Sequence, residues 1–239
     1  MKNALVTGGS GGIGAAVCRR LAADGCHVYI HAHHGLEAAQ AVAESIRTSG
    51  GSAQVLTFDV TDSRIVTEVL TPIVETQPIQ ILVNNAGIHD DAVFPGMRAE
   101  QWHRVMDVSV NGFFNVTQPL MMPMIRSRWG RIINVSSIAA LTGNRGQVNY
   151  AAAKGALNSA TKSLAREVAS RGITVNAVAP GIIDTAMGNA AFSKEDIANM
   201  VPMKRAGTPD EVAALIGFLA SPGAAYITGQ IISINGGLI

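Results

Sequence analysis

Ala4-Leu5-Val6-Thr7-Gly8-Gly9-Ser10-Gly11-Gly12-Ile13-Gly14 is the stretch on which the fold turns. A short apolar strand runs straight into a glycine-rich turn. Beyond it Ile13, Val17 and Leu21 recur at helical spacing, and Gly25 is placed to end that helix. Glycines let a backbone turn tightly and come close to a pyrophosphate, which the amides at the start of the helix then bind. A glycine-rich run alone is explained equally well by a flexible turn. Set between an N-terminal strand and a clear helix, it reads as a nucleotide site.

Outward from that unit the same alternation repeats. Val28-Tyr29-Ile30 is a second strand, followed by a helix from about Leu36 to Thr48 that Gly50-Gly51 stops. Val55 to Phe58 is a third, leading through Asp59-Val60 to a helix with Ile65, Val69 and Ile73. Ile81-Leu82-Val83 is the fourth strand and Ile132 to Val135 the fifth. Between them a long helical stretch, about 99–126, contains Pro119 and Pro123, where kinks or a break are expected. A helix from about Asn149 to Ser170 precedes strand Thr174 to Ala179, closed by Pro180-Gly181. A polar, Ala-rich segment from Asp184 to Met200, a helix from Pro209 to Ala220 and a strand from Gln230 to Ile234 complete the chain. Strands alternating with helical crossovers specify an α/β fold: a Rossmann-type, doubly wound parallel sheet of seven strands with helices on both faces. No linker-like change of composition interrupts residues 1–239, so a single domain is expected, with its site at the carboxyl ends of the strands.

Composition narrows the function. Of 239 residues 48% are hydrophobic and 15% charged, which fits a buried α/β core and does not fit disorder. A formal charge of +1 gives no reason to expect nucleic acid or an anionic membrane as partner. No stretch reaches the roughly 18 uninterrupted apolar residues of a membrane helix. Cys18 and Cys26 have no metal-ligand spacing and read as reduced, small apolar residues. A soluble cytoplasmic protein is expected.

Tyr150 and Lys154 stand one helical turn apart, so phenol and ammonium share a face, and Ser137 lies thirteen residues upstream. A nearby ammonium is expected to favour the phenolate and bring the tyrosine nearer to neutral pH. A serine hydroxyl aimed at the same point would hold a carbonyl oxygen while the tyrosine protonates it. Together these residues suggest carbonyl reduction by a nicotinamide cofactor. At the end of the second strand, where NAD-selective sites carry an acidic residue, the sequence reads His31-Ala32-His33-His34. A 2′-phosphate meets no repulsion there, so NADP (NADPH) is favoured over NAD. A metal site is not expected, because no Cys, Asp or Glu completes a ligand set nearby.

The ordered set formed by the glycine turn, Asp59-Val60, Asn84-Asn85-Ala86-Gly87, Asn111, Ser137, the Tyr150/Lys154 pair and Pro180-Gly181 resembles the short-chain dehydrogenase/reductase family over essentially the whole chain. Within it the chain looks most like the 3-oxoacyl-[acyl-carrier-protein] reductases, through the runs 143–150, 163–176 and 225–229. The resemblance implies a catalytic set of Asn111, Ser137, Tyr150 and Lys154, with Asn111 anchoring a water that links Lys154 to solvent. Implied at the cofactor are Gly8, Ser10, Gly11, Gly12, Ile13 and Gly14 around the pyrophosphate, and His31 and His33 at the adenosine end. Asp59 and Val60 would meet the adenine, and Asn85, Ala86 and Gly87 the ribose side. Tyr150, Lys154, Pro180, Gly181, Ile183 and Thr185 would surround the nicotinamide end.

Reductases of this type commonly carry Arg where Gly11 stands, which would leave a 2′-phosphate to His31, His33 or His34. The run Asp184 to Met187 has Ala186 where these enzymes often have Asp. Arg128 and Arg171 match positions that present basic side chains to an acidic acyl carrier protein, with ordinary surface arginines as the alternative. Trp129 either packs against the carrier or caps a helix end. A homotetramer built on the 99–126 and 150–170 helices and the last strand is implied. Three readings stand: reduction of a carrier-bound 3-oxoacyl thioester for fatty acid or polyketide/polyene synthesis, the same chemistry on another carbonyl such as acetoacetyl-CoA, a sugar or a cyclic ketone, and a non-catalytic nucleotide-binding partner protein.

Overall fold

The computed structural model describes residues 1–186 and 193–239. Met187, the end of the run that begins at Asp184, lies outside them. Strands β1 (Asn3–Val6), β2 (His27–Ala32), β3 (Ser52–Thr57), β4 (Ile79–Asn84), β5 (Gly130–Val135), β6 (Ile173–Pro180) and β7 (Ile231–Ile234) pair in parallel as one sheet, ordered β3-β2-β1-β4-β5-β6-β7. The order reverses direction between β1 and β4, the switch point at which such sheets bind ligands.

Helices cover both faces. On one, α1 (Gly12–Ala23), α2 (Leu36–Thr48) and α9 (Pro209–Ala220) bury Val17, Leu21, Val42 and Ile216 against Val28 and Ile30. On the other, α3 (Ser63–Thr76), α5 (Gly112–Ser127) and α7 (Val148–Val168) bury Leu70, Val116, Leu120 and Val168 against Leu82 and Ile132. β5 and β6 are buried along their whole length, largely apolar, and the asparagines they carry there, Asn134 and Asn176, are hydrogen-bonded to Asn84, Thr161 and the Ile227 carbonyl. Short helices α4 (Ala99–Met106), α6 (Ala139–Thr142) and α8 (Lys194–Met200) belong to the connections. Gly25, at φ +86°, follows the end of α1 and returns its N–H to the Ala22 carbonyl, as its position predicts.

The long helical stretch departs from expectation. α5 runs unbroken through Pro119 and Pro123, each of which removes one hydrogen bond to the carbonyl four residues back, on Asn115 and on Pro119. The irregularity lies earlier: Asp107–Asn111 form a π-turn between α4 and α5. That turn packs against α7 and sets which of its side chains face inward.

Candidate active site

The glycine turn is held in place by residues on three strands. Thr7 Oγ1 accepts the N–H groups of Asn85 and Ala86 (3.0 and 2.9 Å). The Asn85 side-chain amide donates back to the Thr7 and Gly8 carbonyls (3.0 and 2.9 Å). A Cβ on Gly14 would lie 2.1 Å from the Gly8 carbonyl oxygen, so only glycine lets α1 start this close to the turn. Gly8 and Gly12 need it for another reason, at φ +62° and +52°. Thr7 was not singled out in the sequence; its signal is a polar residue ending an apolar strand.

The residues fit a dinucleotide. Gly11 begins α1 with no side-chain cap, which leaves the first-turn amides for an anion. Ser10, Gly11 and Gly12 line a cavity of about 460 Å³ together with Arg19, Ala38 and Asp210. Thr185 overhangs the turn, its methyl 3.3 Å from where a Gly12 Cβ would stand, while Ile183 bridges to Gly207. Pro180 and Gly181 close β6, with the Gly181 N–H on the Ile234 carbonyl (2.9 Å). Gly87 lies against Lys154, a Cβ there falling 3.0 Å from Nζ.

At the adenosine end one assignment needs correction. His31 is only 2% exposed, its Nδ1 accepts the Gly8 N–H (3.1 Å), and its Nε2 meets the Phe58 carbonyl (2.8 Å). Burial drives its pKa down to about 4. It is therefore a neutral brace under the turn and does not attract a phosphate. Its neighbours His33 and His34 stack, exposed, with His33 Nε2 3.9 Å from Asp59. Burial alone would raise the Asp59 carboxyl, but the Thr61 N–H (2.9 Å) and the two imidazoles bring it below its ordinary value. Val60 turns inward, packed against Gly112 with its carbonyl held by Asn115 (2.9 Å).

The candidate catalytic side chains gather at the carboxyl ends of β4, β5 and β6. Ser137 follows β5, its Oγ accepting the Ala139 N–H (3.1 Å). Lys154 is fully buried, donates from Nζ to the Val135 carbonyl (2.8 Å), and lies 5.7 Å from the Tyr150 ring centre. Desolvation lowers its pKa to about 8. The expected lowering of Tyr150 is not found. Burial raises the phenol, the Ser137 hydroxyl pulls it partly back, and Asp91 raises it again, so it stays protonated near neutral pH. Asn149, fully buried just before it, anchors this helix start by donating to the Asp90 and Gln101 carbonyls (2.9 and 3.1 Å). Nothing near Asn149 in the chain announces that tie, because its partners come from distant segments.

Asn111 does not join the group. It is exposed at the end of the π-turn and donates to Asp107 (2.7 Å). The extra residue of the π-turn changes the helical phase and brings Ser109, 2% exposed, to the inner side in its place.

Arg128 and Arg171 are also remote from these candidate side chains. Arg128 caps the end of α5 and donates to the Ser170 carbonyl (3.1 Å); Arg171 follows the end of α7. Both sit where β5 and β6 begin, whereas Tyr150 sits where α7 begins, and the 21 residues of α7 span about 31 Å. Trp129 lies between Lys2 and Arg131, each 4.4 Å from the ring centre. No helix among the described residues is long and apolar enough to cross a membrane.

Comparison with known proteins agrees with this arrangement. Residues 2–196 match the family model for short chain dehydrogenases. A 3-oxoacyl-[acyl-carrier-protein] reductase of Aggregatibacter actinomycetemcomitans is 45% identical over 98% of both chains. Nodulation protein G of Azospirillum brasilense is 43% identical over 99% of this chain and 98% of its own. An acetoacetyl-CoA reductase of Allochromatium vinosum is 42% identical over 98% of this chain and 97% of its own. With a glycine turn between the first strand and the first helix, a serine, tyrosine and lysine converging beside it, and likeness along nearly the full length, the chain belongs to the short-chain dehydrogenase/reductase family of oxidoreductases.

Proposed function

We propose that the protein reduces a 3-oxoacyl thioester on an acyl carrier protein to the 3-hydroxyacyl thioester, with NADPH as cofactor, in fatty acid or polyketide/polyene synthesis. The observation that carries this reading is the convergence of Ser137, Tyr150 and Lys154 beside the glycine turn. The reduced nicotinamide that these residues would hold would supply the hydride for the carbonyl carbon. Ser137 donates to the carbonyl oxygen, and the Tyr150 hydroxyl gives that oxygen its proton as negative charge develops. The raised pKa of Tyr150 suits an acid that must arrive protonated. Lys154, near the ring, stabilises the phenolate left behind and would bond the nicotinamide ribose. Gly8, Ser10, Gly11, Gly12, Ile13 and Gly14 would hold the pyrophosphate, and Ile183 and Thr185 the nicotinamide end. His33 and His34 would meet the 2′-phosphate.

The carrier is favoured by the reductase relatives and by Arg128 and Arg171. Given the length of α7, those arginines would serve the active site of another copy, across the exposed faces of α5 and α7, in a homotetramer of single-domain chains in the cytoplasm. Reduction of a CoA thioester is the second reading, favoured by the acetoacetyl-CoA reductase relative. Steady-state NADPH oxidation, with the same 3-oxoacyl group on carrier protein and on CoA, tests both. A higher kcat/KM on the carrier supports the first reading, and a higher value on CoA the second.

A further inference from the structure

The cavity of about 460 Å³ beside the glycine turn is walled by the starts of α1, α2 and α9, largely with very small residues: Gly11, Gly12, Ala15 and Ala38 among them. Its charged residues are Arg19 and Asp210, and neither makes an ion pair or a side-chain hydrogen bond among the described residues. Gly11, Ala15 and Arg19 follow one another at one-turn intervals and so form a single row along α1. Long side chains on a helix lean back toward its N-terminus, and the residues in that direction are an alanine and a glycine. The row is therefore clear for the exposed Arg19 side chain to lie toward the turn. Gly11 and Gly35, having no side chains, leave the first-turn amides of α1 and α2 uncapped. Ser10, which lines the same cavity, has its Oγ 3.0 Å from where a Gly35 Cβ would stand, so it joins the cavity to the end of β2 and to His33 and His34. An imidazole is charged over only part of the neutral range. A guanidinium always is, and it can bind phosphate through two parallel N–H bonds.

We propose that Arg19 selects NADPH over NADH: its guanidinium holds the cofactor's 2′-phosphate in this cavity, and Asp210 competes with the phosphate for it. The uncapped amides of α1 and α2 favour the same anion. With NADH the guanidinium is left to solvent and to Asp210. Arg19 thus supplies from one face of α1 the permanent positive charge that Gly11 does not. It determines specificity at the adenosine end and takes no part in proton or hydride transfer.

This inference rests on NADPH as the cofactor, so the parent's own preference is measured alongside. Titration calorimetry gives Kd for NADPH and for NADH in the parent and in Arg19→Gln, Arg19→Lys, Asp210→Asn and Arg20→Gln. Arg19→Gln should raise Kd for NADPH about tenfold or more and leave Kd for NADH within about twofold. Arg19→Lys keeps the charge, loses the fork and should fall between. Asp210→Asn should tighten NADPH about two- to fivefold at low salt, and the gain should shrink as salt is added. Arg20→Gln removes the same charge one position away, where Arg20 is bonded to Asp24 at 2.8 Å, and should leave the ratio of the two Kd values unchanged. If the parent prefers NADPH and Arg19→Gln keeps that ratio within about twofold, Arg19 is not the selecting residue and the cofactor reading stands. An equal shift in Arg20→Gln would also overturn the proposal, by making the effect one of net charge. Should Arg19→Gln fail to fold, Asp210→Asn decides, and unchanged NADPH binding there would overturn it. A parent that binds NADH as tightly as NADPH would overturn the cofactor reading itself, and this inference with it.

Discussion

The Gly8 N–H donates to His31 Nδ1 at 3.1 Å, and the next amide, Gly9, donates to the His31 carbonyl at 2.8 Å. One residue at the end of β2 thus clamps two consecutive amides of the glycine turn. The clamp needs an unprotonated Nδ1, because a protonated nitrogen cannot accept.

His31 therefore makes the fold sensitive to acid. Its folded pKa, about 4, lies below its ordinary value of 6.5, so the unfolded chain binds the extra proton first. The stability it contributes is complete above about pH 6.5 and is lost as pH falls toward 4, up to about 3 kcal/mol. Thermal unfolding from pH 7 to 4.5 should show a steeper decline for the parent than for His31→Asn. Parallel declines would remove His31 as the cause.

Tyr150→Phe should keep the melting temperature and cofactor binding while kcat falls by about 10²–10⁴, the usual loss with a general acid. Retention of more than about a tenth of the parent kcat would exclude the hydroxyl as the donor.

Gly11 has an extended φ of −163° and open space where a Cβ would stand, so a side chain fits without strain. Gly11→Arg places a guanidinium where a 2′-phosphate would lie and should raise the NADPH over NADH preference by about tenfold, as charge-assisted hydrogen bonds of 1.5–3 kcal/mol allow. His33→Asp should move it the opposite way by repulsion, and is a better site than buried Ala32. An unchanged kcat/KM ratio in both variants would mean that the 2′-phosphate sits elsewhere.

Replacing Arg128 and Arg171 together with Glu should raise KM for a carrier-bound 3-oxoacyl substrate and leave a small thioester nearly unchanged. The difference should shrink as salt is added. Equal losses on both substrates would indicate damage to the fold or site, and no loss on either would leave them as ordinary surface arginines.

Much of the architecture was legible. The seven strands, the turn before α1 and the Tyr150/Lys154 face follow from apolar runs, glycines and a spacing of four, all of them local. What was not legible depends on contacts between distant segments. The burial of His31 is decided by Phe58 and the turn above it, 27 and 23 positions away in sequence. The choice between Ser109 and Asn111 depends on helical phase, which the π-turn alters without leaving a mark in composition. Likewise, Pro119 and Pro123 announce a break that α5, held against the sheet by Val116, Leu120 and Met124, does not show.

The π-turn also couples two parts of the molecule mechanically. An α-helix advances 100° per residue, so losing one residue from Asp107–Asn111 would turn α4 by that angle relative to α5. Gln101, which now holds Asp90 at 2.7 Å and offers its carbonyl to Asn149, would swing away from the start of α7. The extra residue thus works like the offset in a camshaft: it lets one face of α4 address the tyrosine's helix while α5 keeps its own face on the sheet.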